Sequence, residues 1–235
     1  MQDASYGQPN KEKRESLLLN AVVNVIIPVV ILTRFSGEDR LGATNGLLIA
    51  LAFPLVYGIF EFVRRRKFNF LSALGFISVL LTGGIGLLKL NPQWVAVKEA
   101  GIPLIIAVAI IGSQKTRFPL IRTLFNQFLD TDRVDDALRE RGTTEAYNKR
   151  LTISTYLVVA ALFLSAILNY ILARLIVVSP AGTTAFNEEL GKMTALSFPV
   201  IAVPTIIMVV IAIWYLFSGI TKLTGLDPRS LMRQR

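Results

Sequence analysis

Five polar side chains in an otherwise apolar chain are the ones best placed to do chemistry: Lys98, Glu99, Asn169, Arg174 and Lys192. Ammonium, guanidinium and amide groups gathered in one place hold an anion by charge and by directed hydrogen bonds. The chemistry on offer is therefore binding. The 235 residues include no Cys and no His, which excludes disulfides, thiolate metal sites, His-ligated haem and any triad that needs an imidazole base. The apolar segments offer only Glu61 and Glu99 as carboxylates, both at segment ends, so no base and nucleophile converge. The expectation is a protein that is not an enzyme and needs no cofactor and no metal.

The elements that must position these residues are membrane helices. Hydrophobic residues make up 53% of the chain and charged residues 17%, with mean hydropathy +0.55, whereas a soluble domain carries about 25% charge. Six apolar blocks run from about Leu17 to Thr33, Leu41 to Val63, Phe68 to Leu88, Ala96 to Ser113, Leu151 to Val178 and Leu190 to Phe217. None shows the alternation of a membrane strand, and a helix satisfies its own backbone in lipid. The fold class is all-α, a polytopic membrane protein with six transmembrane helices. Residues 1–16 are polar and read as a disordered cytoplasmic tail, residues 17–220 as the membrane domain, and residues 221–235 as a basic cytoplasmic tail. The first block ends Ile31-Leu32-Thr33-Arg34-Phe35, without the small residues of a cleavage site, so it reads as a retained span.

Orientation follows from the basic residues. Of the 25 Lys and Arg, 19 lie in the N-tail, the 64–67 loop, the 114–150 segment and the C-tail. All four fall on one side if the termini are cytoplasmic, which predicts N-in and C-in. The net charge of +9 then reflects topology and attraction to anionic head groups. No aromatic-interleaved basic patch accompanies it, so nucleic acid is not an expected partner. Within 114–150, Ile121, Leu124, Phe125 and Phe128 recur at helical spacing among Arg117, Arg122, Asn126 and Gln127. This predicts an amphipathic helix in the cytoplasmic interface between spans four and five. Asp130-Thr131-Asp132 then caps a short polar helix ending near Arg141-Gly142. The segment reads as a connector or as a docking surface for a cytoplasmic partner.

Depth sorts the polar residues. Counted from Leu151 at 1.5 Å per residue, Asn169 lies roughly 27 Å up and Arg174 roughly 35 Å up. Lys98, Glu99 and Lys192 open spans four and six from the same outer side. If those spans are neighbours, the five residues line an outward-facing pocket for a ligand or lipid. The competing reading is snorkelling to the interface, with Glu188 and Lys192 as an i,i+4 pair and Lys98 and Glu99 about 100° apart on their helix. Asn20 and Asn24 share a face of span one and suit hydrogen bonding between helices. Gly83 and Gly84, followed by Gly86, suit close helix packing. Pro28, Pro54, Pro103, Pro199 and Pro204 fall within spans and tend to kink them.

Three stretches carry a resemblance. Leu81-Thr82-Gly83-Gly84 leads through Trp94 and Lys98 to Ser113 and Lys115-Thr116-Arg117-Phe118-Pro119-Leu120-Ile121; Leu168-Asn169-Tyr170 ends span five; Lys192 precedes Thr194-Ala195-Leu196. In these the chain resembles the intracellular septation protein A family of inner membrane-spanning proteins. It is closest to an uncharacterised bacterial six-span branch with strings like Arg64-Arg65-Arg66-Lys67-Phe68-Asn69-Phe70 and Ala185-Phe186-Asn187-Glu188-Glu189-Leu190. The resemblance implies a multi-pass protein of the bacterial inner membrane that supports envelope integrity or septation, without catalytic residues. The 114–150 connector and the charged C-tail are longer than that family's pattern. Membrane lipids are the expected partners, alongside other membrane proteins or a second copy. The alternative function is a small oligomeric transporter or channel for an anionic solute or lipid.

Overall fold

The computed structural model describes residues 19–65, 70–116, 120–125 and 131–226. The predicted tail at 1–16, Phe128, and the C-tail beyond 226 lie outside the described residues. Every regular element among the described residues is a helix: α1 (Leu19–Phe35), α2 (Gly42–Arg65), α3 (Phe70–Leu87), α4 (Gln93–Ser113), α5 (Leu120–Phe125), α6 (Thr131–Glu140), α7 (Thr144–Ile176) and α8 (Thr184–Thr224). Helices α2, α4, α7 and α8 are long and apolar enough to cross a membrane, and α1 and α3 hold shorter apolar stretches.

Several boundaries lie beyond the apolar blocks. Helix α7 starts at Thr144 rather than Leu151, and α8 runs from Thr184 to Thr224 rather than from Leu190 to Phe217. Hydropathy sees only the part of a helix that suits lipid, while hydrogen bonding continues into polar turns such as Glu145–Arg150. Helix α8 has an N-cap that hydropathy does not register, the Thr183 hydroxyl accepting from Phe186 N at 3.2 Å. The prolines act unequally. Widened π-helical turns occur at Val22–Ile26, Ile31–Phe35 and Phe198–Ala202. A proline ring crowds the carbonyl four residues back: that of Asn24 for Pro28 and that of Val200 for Pro204, each inside a widened turn. Pro54 and Pro103 sit within ordinary α-helix.

The described chain forms two compact units, one of residues up to Glu99 with Tyr170–Phe198, the other of Ala100–Asn169 with Pro199 onward. In the first unit α1 packs on α2 and on the start of α8, and α2 packs on α3. Close approach explains why small residues recur there. A Cβ on Gly86 of α3 would overlap the Leu47 side chain of α2, and one on Gly191 of α8 would crowd Thr33 and Leu32 of α1. Leu47, Val95 and Phe186 fill this core.

In the second unit the described helices of the connector, α5 and α6, pack onto the longer helices. Val134 and Leu138 of α6 join Tyr147, Leu216 and Ile220 in one buried cluster. Ile121 of α5 is buried with Ala107, Ile110 and Val159, so this member of the predicted interfacial face is covered by helices. Arg122 pairs with Asp135 at 3.2 Å, and Thr143 Oγ1 donates to Leu223 O at 3.1 Å. Arg150 lies across Gly219, donates to Tyr215 O at 2.9 Å and stacks 4.6 Å from the Tyr215 ring centroid. The polar helix predicted to end near Arg141-Gly142 is α6, followed by Gly142 in the left-handed region at φ 65°.

Candidate functional site

An open cleft of about 760 Å³ lies in the first unit, lined by the α3–α4 turn from Lys89 to Gln93 and by Arg174 with the α7–α8 turn as far as Thr183. Its shape follows from local backbone chemistry. Leu90 N donates to Ile85 O at 2.9 Å and Lys89 N to Gly86 O at 3.3 Å, the paired bonds of a Schellman helix stop. The residue after the cap must then be left-handed, a position that favours glycine. Here it is Lys89, at φ 51°. A lysine held there stores roughly 1–3 kcal/mol of strain, of the kind that gathers at functional sites. Its carbon stem lies against Gly182, itself at φ 84°, where a Cβ would come within 3.0 Å of Lys89 Cγ. Asn91 Oδ1 accepts from Gln93 N at 2.9 Å, satisfying the first backbone donor of α4, with Pro92 immediately before it.

The second turn is tied from inside by Glu189. Its carboxylate accepts from Val178 N at 2.9 Å, from Ser179 N at 2.8 Å and from Ser179 Oγ at 2.6 Å. Thr183 Oγ1 donates to Pro180 O at 2.7 Å. The lining thus holds two cations, Lys89 and Arg174, with Asn91, Gln93 and Thr183, and no carboxylate. Such a surface attracts an anion.

The expected site residues separate into groups. Arg174 lines the cleft. Lys98 Nζ meets the Glu99 carboxylate and donates to Ser78 Oγ at 3.2 Å. Neighbouring residues leave their helix about 100° apart, but the four-carbon stem of lysine reaches across that angle. The Lys98 side chain is 6% exposed, and its ammonium packs against Ser78 at the midpoint of α3. Lys192 lies 3.9 Å from Glu188 in the i,i+4 arrangement, both largely exposed, a pair worth little. Asn169, in the second unit, donates to Ser165 O at 2.8 Å and Ser165 Oγ at 3.3 Å, one turn back in its own helix.

The residues expected to pack helices are placed as follows. Asn24 Nδ2 donates to Asn20 O at 3.0 Å and to Asn20 Oδ1 at 3.1 Å, so this pair is satisfied within α1. A Cβ on Gly83 would meet Leu51 at 3.1 Å, while Gly84 faces open space. The amide that does join segments is Asn187, fully buried, which donates to Ser36 Oγ at 3.1 Å and Ala43 O at 2.7 Å. Thr184 Oγ1 adds a bond to Ser36 O at 2.9 Å. Lys89, Asn187 and Glu189 escaped sequence reasoning as site-building residues. Lys89 is one of the six basic residues outside the four segments that set the orientation. The other two lie in the Phe186-Asn187-Glu188-Glu189 string, where two carboxylates and an amide at a helix start are themselves the signal. Among the described residues no three His, Cys, Asp or Glu side chains come together as a metal site would need.

No family model, curated protein or solved structure matches the chain.

Proposed function

We propose that this is a non-enzymatic, multi-pass protein of the bacterial inner membrane that binds anionic groups at the Lys89–Arg174 cleft and supports envelope integrity or septation through contacts with lipid and other membrane proteins. The observation that carries the reading is the pairing of two cations in a cleft of about 760 Å³ whose lining has no carboxylate. In the six-span reading, with both termini cytoplasmic, α1 and α3 cross as well as the four longer helices. The cleft, at the α3–α4 and α7–α8 turns, then opens on the outer face. A phosphate group is the shared chemistry, whether carried by a lipid head group or by a small solute.

Binding of phosphate-bearing ligands, dissolved and lipidic, to the purified protein tests this reading. A Lys89→Asn/Arg174→Gln double variant should bind them at least tenfold more weakly, at about fivefold per cation near a membrane surface. Equal binding by the double variant would remove the site. In cells, deletion of the gene with unchanged osmotic tolerance, cell shape and membrane integrity would argue against the envelope role.

A second reading, a small oligomeric transporter or channel, draws on the Lys98–Glu99–Ser78 contact, since ionisable groups inside membrane helices commonly mark pathways. Proteoliposomes that neither conduct ions nor take up phosphate would end it.

A further inference from the structure

We propose that the anion taken by the cleft is the phosphodiester of an acidic glycerolipid, which enters sideways from the bilayer with its acyl chains attached. This rests on the reading of the cleft as an anion site and names its ligand. Two cations alone do not separate a lipid from a dissolved anion, but their surroundings do. Arg174 is followed by Leu175, 74% exposed, and Val178, 64% exposed. The α3–α4 turn presents Leu88, 71% exposed, with Leu90 and Trp94 also exposed. Leu90 and Val178 line the cleft itself, so apolar surface continues into it. A dissolved anion gains nothing from that surface, whereas a glycerol backbone and acyl chains are desolvated by it. Trp94 is the residue type enriched at head-group level.

The charge pattern chooses among lipids. The guanidinium fork of Arg174 matches two phosphate oxygens, and Lys89 runs its stem along Gly182 with the ammonium free to reach a third. A zwitterionic head group would bring a cation of its own to a lining that has two already and no carboxylate to receive it. Phosphatidylglycerol, with one phosphodiester and an uncharged head, meets no such repulsion.

The test uses the full chain in nanodiscs of equal phosphatidylcholine and phosphatidylglycerol, with the lipids that stay bound identified by native mass spectrometry. Phosphatidylglycerol should be enriched several-fold on the wild type and not on Lys89→Asn/Arg174→Gln, in which Asn tolerates the left-handed backbone. A Leu90→Ser/Val178→Ser variant keeps both cations; it should lose the enrichment while its helical circular dichroism stays that of the wild type. Dissolved glycerophosphoglycerol at millimolar concentration should not displace the lipid. If it does displace it, and the serine variant keeps its enrichment, the ligand is a free anion: the lipid proposal falls and the anion site stands. If neither form binds, or if enrichment survives loss of both cations, the proposal and the anion site fall together.

Discussion

Glu189 holds Ser179 twice, through the backbone amide at 2.8 Å and the hydroxyl at 2.6 Å, and so fixes the turn that forms one part of the cleft. The same contacts, with one from Val178 N at 2.9 Å, use the hydrogen-bonding capacity of the carboxylate within the turn. This acidic side chain is thereby committed to the turn that it ties.

Replacing Glu189 by Ala strands two backbone donors and a hydroxyl. Charge-assisted bonds of this kind contribute about 1.5–3 kcal/mol to stability, so thermal unfolding in detergent should occur several degrees lower. Glu189→Gln keeps an acceptor and should recover part of the loss. An unchanged midpoint for both variants would show that the turn holds without this residue.

The Lys98–Glu99 pair should be worse broken than absent. Removing Lys98 leaves the partly buried Glu99 carboxylate, 24% exposed, without its partner, at a cost of about 1–3 kcal/mol, whereas replacing both with apolar residues of similar volume is often close to neutral. Lys98→Met alone should therefore destabilise more than Lys98→Met/Glu99→Leu. A double variant no more stable than the single one, in chemical denaturation from mixed micelles, would contradict the buried pairing with Ser78.

At the α2–α3 contact, Gly86→Ala should overpack against Leu47 and cost about 1–3 kcal/mol. Leu47→Ala in the same chain vacates the space, so the two changes should couple with opposite sign in a double-mutant cycle. Additive effects would mean that these helices move apart instead.

Arg150 lends itself to a conservative exchange. Arg150→Lys keeps the charge but gives up the planar stack on Tyr215 and the aligned bond to its carbonyl, for a loss of about 1–2 kcal/mol. Gly219→Ala should behave similarly, because its methyl group takes the space of the Arg150 stem. Stability equal to wild type in both would remove this contact from the second unit's supports.

The helices and their apolar stretches were legible because lipid-facing composition is a property of each segment alone. So was the polar helix α6, announced by its acidic start and by Gly142. The cleft was not. Arg174 stood out as a charge near the end of an apolar run, but Lys89 becomes notable only through a left-handed backbone that no local residue preference announces. Lys98 and Glu99 were read by helical angle, and a flexible four-carbon stem does not keep to that angle. Asn187 bonds with Ser36 over 151 positions of chain, and partners so distant leave no periodic trace.

The burial of Val134, Leu138 and Tyr147 against Leu216 and Ile220 sets an order of events during synthesis. Helix α6 leaves the ribosome long before its partners exist, since Thr143 and Leu223 are 80 residues apart. At ~5–20 residues per second, roughly 4–16 seconds pass in which its apolar side lacks Leu216 and Ile220. Translation stalled after Ile213 should leave the 131–147 segment open to added protease, and the finished chain should protect it. The last turns of α8 thus act as the latch on a stretch made much earlier.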